Sequence, residues 1–152
     1  MIVVSNSSPL IALSQIGRLD LLGQLQPQIL IPPAVAKEVR PSVPRLPDWI
    51  EVKPLSLPAN PAIVSSAIGA GEREVIGLGL ELGAQILILD ERPARRLATS
   101  LGLGVIGTVG LLLAAKDRGL LVSIKPELDR LLAVRFFMDE ELYNRVLTQA
   151  GE

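Results

Sequence analysis

Asn6, Glu38, Glu72 and Asp90 are the side chains in this sequence whose types and positions suit chemistry, and all four offer oxygen. The chain has no cysteine and no histidine. That excludes disulfides, thiolate or imidazole metal sites, cysteine nucleophiles and every histidine-based triad. Carboxylates, hydroxyls, amides, Lys and Arg are what remain. Hard oxygen donors of this kind suit Mg²⁺ or Mn²⁺, so an enzyme of this composition is expected to work through a divalent metal.

The elements that must position these residues follow from the apolar pattern. Ile2–Ser5, Ile29–Ile31, Ile86–Leu89 and Val105–Ile106 are short apolar runs bounded by turn signals, and read as buried strands. Helical patterns cover Pro9–Ile16, Leu19–Leu25, Pro33–Arg40, Glu72–Leu82, Glu91–Leu101 and Val109–Lys116. Alternation of this kind marks βαβ units, an α/β fold with a parallel sheet covered on both faces. In such a sheet the residues just past the strand carboxyl ends share one edge, and ligands bind there. Asn6 follows the first strand, Asp90 follows Ile86–Leu89, and Glu38 lies in the helix after the second strand. Glu72 opens a helix that runs antiparallel to the strand it feeds, so its first turn reaches the same edge. The four are expected to converge.

Each residue has a plainer reading when taken alone. Asp90 before Glu91-Arg92-Pro93 has the form of an N-cap. Glu38 in Ala-Lys-Glu-Val-Arg has the form of a solvated helix residue, and Asn6 in Ser-Asn-Ser-Ser-Pro that of an Asx turn or a cap. Glu72 also suits a first-turn acid stabilised by the helix dipole. Helical phase nevertheless puts Glu72 with Val75, Ile76 and Leu82, the side expected to meet the sheet, and Glu74 with Gly77 and Glu81 on the wet stripe. A carboxylate aimed at a core needs a cation or a hydrogen-bond donor. Arg92, Arg95 and Arg96 lie at helical spacing beside Asp90, and Arg73 adjoins Glu72. They suit phosphate clamps, or, for Arg92 and Arg96, pairing with nearby Glu on an exposed face.

Length and composition set the bounds. At 152 residues one domain, 1–152, is expected, with a core over about 1–120 and closing helices over about 124–149, at Pro126–Leu132 and Asp139–Leu147. Tyr143 and the Phe136-Phe137 pair are expected to supply packing mass there. The net charge of −1 argues against polyanion binding by bulk charge, and the four aromatic residues leave little for base stacking. The start MIVVSNSSPL has no secretory pattern, so a cytoplasmic protein is expected. Leu97–Ala115 is uncharged over 19 residues, but Gly102, Gly104, Gly107 and Gly110 punctuate it and Thr108 has the form of an N-cap, so it parses as helix end, strand and new helix rather than a membrane span. Gly102-Leu-Gly104-Val-Ile-Gly107 spells a dinucleotide fingerprint, yet a helix precedes it and the strand lies inside it, the wrong order for that function. Six prolines between Pro41 and Pro61 mark an irregular excursion with an edge strand at Trp49–Lys53.

Order and context add a resemblance. Val4-Ser5-Asn6-Ser7-Ser8-Pro9-Leu10-Ile11, then Glu38, then Gly71-Glu72 leading to Leu82-Gly83, then Leu87-Ile88-Leu89-Asp90, resembles the PIN-like domains, and within them the predicted nucleic-acid-binding relatives of VapC toxins. Ala-Gly-Glu, Asp-Glu-Arg-Pro-Ala-Arg-Arg and Gly107-Thr108-Val109-Gly110 are its most specific segments, and it covers roughly residues 1–120. The resemblance implies a three-layer α/β/α sandwich whose acids bind Mg²⁺ or Mn²⁺ and hydrolyse RNA phosphodiesters. By position the first acid falls on Asn6, a neighbouring hydroxyl placed for RNA on Ser8, and the later acids on Glu38, Glu72 and Asp90, with Glu91 as an extra ligand. It further implies an antitoxin partner and a homodimer. Asn6 departs from the pattern, because an amide removes one negative charge from a hard-cation site. The alternative is a catalytically silent module of the same fold that binds RNA or a protein.

Overall fold

The structure, a computed structural model, describes residues 1–152. Five strands, β1 (Val3–Ser5), β2 (Ile29–Ile31), β3 (Ile50–Val52), β4 (Ile86–Ile88) and β5 (Gly104–Ile106), form one sheet in the order β3-β2-β1-β4-β5. Every pairing is parallel, and β1 aligns Val3, Val4 and Ser5 with Ile86, Leu87 and Ile88 of β4. Nine helices surround the sheet: α1 (Ser7–Gln15), α2 (Leu19–Leu25), α3 (Pro33–Val39), α4 (Pro61–Val64), α5 (Ala70–Leu82), α6 (Arg92–Ser100), α7 (Thr108–Asp117), α8 (Lys125–Ala133) and α9 (Glu140–Gln149).

Unbroken apolar runs suit strands buried on both faces, and β1 and β2 are buried throughout. Side chains alternate between the two helical layers. Leu87 packs against bare Gly79 of α5, while Ile86, Ile88 and Val3 face Leu22 of α2 and Leu111 of α7. The expected three-layer α/β/α sandwich is what the chain forms. Each fully buried Leu or Ile in these layers contributes about 1.5–3 kcal/mol relative to exposure.

The winding places the site. From the central β1 the chain moves outward through β2 and β3, then returns to β4 on the other side of β1. The crevice at the carboxyl ends of β1 and β4 is therefore the topological switch point, where open α/β sheets hold their ligands.

Local expectations needed four corrections. The short helix α4 was not expected; Asn60 caps it by accepting from Ala62 N at 2.8 Å, and Pro61 starts it where a missing N–H costs nothing. Gly107, not Thr108, holds the N-cap position of α7. Phe137 is 88 % exposed and supplies no packing, whereas Phe136 and Tyr143 lean on the core. The α5 stripe expected to be wet is partly covered: Leu55 fills the space beside Gly77, and Ser56 N donates to Glu81 Oε1 at 2.7 Å. No helix is long and apolar enough to cross a membrane.

Candidate active site

At the switch point lies an open cleft of about 400 Å³, lined by Asn6, Glu38, Gly69, Ala70, Gly71, Glu72 and Glu91. Asn6 is the residue after β1 and is 5 % exposed. Its backbone N–H donates to Ile88 O at 3.0 Å, which ties the start of α1 to β4. Asn6 occupies the N-cap position of α1, yet its side chain makes no capping bond, so the reading of Asn6 as a cap is not what the structure shows. Its Oδ1 faces the α5 backbone at Gly71.

Glu38 is on the exposed side of α3 but is not simply solvated. Ser7 Oγ donates to its Oε2 at 3.0 Å, and its Oε1 lies over the Cα of Gly71, beside Asn6 Oδ1. Glu72 closes the arrangement from α5. Its Oε1 accepts from Gly69 N at 3.0 Å, turning the first helical turn back on itself as a capping box does. Its Oε2 is buried and has no hydrogen-bond partner. An unpaired buried carboxylate oxygen is costly and calls for a cation or a donor. Both expectations for Glu72, the helix-start acid and the inward-aimed carboxylate, hold for different oxygens of the same side chain.

Asp90 stands beside the cleft, at the end of β4. Thr108 N donates to its Oδ1 at 2.8 Å, and Thr108 Oγ1 and Ser8 Oγ donate to its Oδ2 at 2.7 and 3.3 Å. Asp90 therefore ties α1 and the start of α7 to the end of β4, and Thr108, fully buried, is its main anchor. The N-cap of its own following helix is Glu91, whose side chain makes no cap bond and reaches the cleft instead. Of the four residues expected to converge, Asn6, Glu38 and Glu72 line the cleft with Glu91 on its rim, and Asp90 adjoins it through Ser8. Ser8 is engaged by Asp90.

The arginines also divide. Arg95 Nη1 donates to Leu89 O at 2.9 Å and Arg73 Nη2 to Ser66 O at 2.9 Å, so both help to hold the backbone around the site. Arg92 and Arg96 on α6 are exposed and form no salt bridge, so the expected pairing with nearby Glu is absent. Sequence reading missed Ser7, Gly71 and Thr108. The Gly71 signal was a glycine in a helix start, and the other two carry no local signal because their partners lie 31 and 18 residues away.

No group of three or more Asp, Glu, His or Cys side chains gathers closely enough to hold a metal ion. The donor set at the cleft is two carboxylates and one amide. Three hard oxygens, one of them buried and unsatisfied, fit a hard divalent cation in kind.

Fold and site together define an α/β protein with an acidic, oxygen-lined cleft at the switch point of a parallel sheet. A family described as DUF3368, PIN domain, matches residues 2–152, and the chain belongs to this PIN-domain family. Among solved structures it is similar to a PilT N-terminus domain protein from the hyperthermophilic archaeon Sulfolobus solfataricus P2, with 20 % identity over 76 % of this chain and 93 % of that one, and a TM-score of 0.57. At that identity the likeness concerns the fold. No curated protein matches the sequence.

Proposed function

We propose that this protein is a metal-dependent ribonuclease, with Asn6, Glu38 and Glu72 holding Mg²⁺ or Mn²⁺ and Glu91 and Asp90 flanking them. The observation that carries this reading is the buried, unpartnered Glu72 Oε2 in a cleft that also presents Glu38 and Glu91. The cleft lining has three carboxylates and no basic side chain, so it repels a phosphodiester until a cation offsets that charge. When bound, the cation supplies Lewis acidity and an activated water for phosphodiester hydrolysis. The chain's own groups do the holding and orienting. Ser7 fixes one oxygen of Glu38, Gly69 N fixes one oxygen of Glu72, and Asp90 positions α7 and α1 around them. Arg92 and Arg96, exposed and without ion-pair partners, are suited to phosphates of a bound strand.

The test is Mn²⁺ titration by calorimetry together with RNA cleavage, on the wild type and on Glu72→Gln. Binding and cleavage that both vanish in the variant support the reading. A wild type that neither binds Mn²⁺ nor cleaves RNA overturns it, and favours the second reading, a silent module of the PIN fold that binds RNA or a protein. Asn6 is the observation on that side, since it leaves the cleft one charge short of a full acidic set.

The family resemblance supports the finer reading of a toxin held by an antitoxin, acting in the cytoplasm as a homodimer. Expression toxicity relieved by a neighbouring small protein, and a sedimentation mass of twice the chain, are the outcomes that reading expects.

A further inference from the structure

Gly71 is the second residue of α5, where a glycine costs helix stability and its φ is not in the left-handed region that would require one. Backbone conformation therefore does not explain it. Space does. A Cβ at this position would collide with Glu38 Oε1 and come within 3.3 Å of Asn6 Oδ1. Glu38 is not free to give way at no cost, because its other oxygen accepts from the buried Ser7 hydroxyl at 3.0 Å.

We propose that Gly71 is a positioning residue: its bare Cα is the seat on which the Glu38 carboxylate rests, one oxygen held by Ser7 and the other set beside Asn6 and Glu72. A methyl group there lifts the carboxylate out of the cleft and breaks the Ser7 bond. The carboxylate is the far end of a flexible side chain, so the fold absorbs the move while the donor set loses one member. This rests on the metal-binding reading of the cleft for its functional consequence, but not for its geometry.

Two measurements test it on the full chain. In the first, without metal, Ser7→Ala lowers the thermal midpoint of the wild type and has no effect in a Gly71→Ala background, because the Ser7–Glu38 bond is already lost there. In the second, Gly71→Ala weakens Mn²⁺ binding by calorimetry on the order of tenfold, as loss of a supporting contact to a ligand does. Its midpoint falls by no more than Ser7→Ala costs the wild type, because Ala for Gly in a helix offsets part of the lost bond. Adding Glu38→Asp, one methylene shorter, recovers part of the affinity. If Ser7→Ala costs as much in the Gly71→Ala background as in the wild type, the seat is wrong whatever the metal does. If that coupling holds and the wild type binds no Mn²⁺, the seat stands and the metal reading of the cleft falls. A Gly71→Ala midpoint that drops with Mn²⁺ affinity unchanged makes Gly71 an ordinary packing glycine and overturns the proposal.

Discussion

Glu127 and Glu72 are two carboxylates on helix first turns, and the fold treats them oppositely. Glu127, 2 % exposed at the start of α8, accepts from Arg18 Nε and Nη2 at 3.0 and 2.8 Å and from Arg130 Nη1 at 2.7 Å. Burial pushes its carboxyl up, but the hydrogen bonds and charges of Arg18 and Arg130 win and hold it below its ordinary value. Glu72 has one oxygen capping its own helix and the other buried with nothing. A finished ion pair joins α8 to the α1–α2 corner and has no capacity left for a ligand. An unfinished acid at the sheet's switch point keeps that capacity, at a cost to stability. Asp90 resembles Glu127 more than Glu72, since it too is supplied with donors by the rest of the fold.

The largest effect expected is from the paired acid. Arg18→Met with Arg130→Met leaves Glu127 without a partner and costs about 3 kcal/mol in denaturant unfolding, the low end for a buried pair because both arginines are partly exposed. The pH dependence should change sign with it. In the wild type the depressed carboxyl contributes stability that is present above its ordinary value of 4.5 and is lost as pH falls through its lower folded value. In the double variant burial acts alone, raises the carboxyl, and makes the protein more stable as acid neutralises it. Equal acid profiles for both proteins would break the comparison.

Asp90→Asn should cost about 2 kcal/mol, because an amide cannot accept from Thr108 N, Thr108 Oγ1 and Ser8 Oγ as two carboxylate oxygens do. Mn²⁺ titration of this variant sharpens the division: retained binding groups Asp90 with Glu127, and lost binding groups it with Glu72. We expect retention. Glu72→Gln, measured without metal, should leave stability level or slightly higher, because one of its oxygens has no partner to lose, where Glu127→Gln lowers it. A loss in both would mean that Glu72 is as structural as Glu127.

The smallest effect concerns Glu152. Ile124 N, Lys116 Nζ and Ser123 Oγ hold its carboxyl down at about 2, so its contribution is present at neutral pH and fades as pH falls from 4.5 towards 2. Glu152→Gln should speed hydrogen exchange at the Ile124 amide at neutral pH and leave the cleft unchanged.

How far the sequence reaches differs between fold and site. Val3–Ser5, Ile29–Ile31 and Ile86–Ile88 were legible because strands covered on both faces are largely apolar, and that pattern is local. α4 was not, because Pro61 has the look of a boundary of the proline-rich excursion when it is the first residue of a helix capped by Asn60. Phe137 misled in the other direction, since an aromatic residue signals burial only where a partner surface exists. At the site, Asn6, Glu38 and Glu72 were legible from topology: parallel strands bring their carboxyl ends to one edge wherever the turns lie. The destination of Asp90 was not, because Thr108 lies 18 residues on, across another helix and strand.

By itself the sequence determined the chemical repertoire and the edge where it gathers. With no cysteine or histidine, only hard oxygen donors and cationic side chains were available, and the hydrophobic pattern set the order of most strands and helices. Only the tertiary structure decided which acid is satisfied and which is left waiting. The deciding donors arrive from far along the chain, Thr108 from 18 residues for Asp90 and Arg18 from 109 for Glu127. No donor arrives at Glu72 Oε2, so among the fully buried side-chain oxygens and nitrogens it is the one with an interaction still to make.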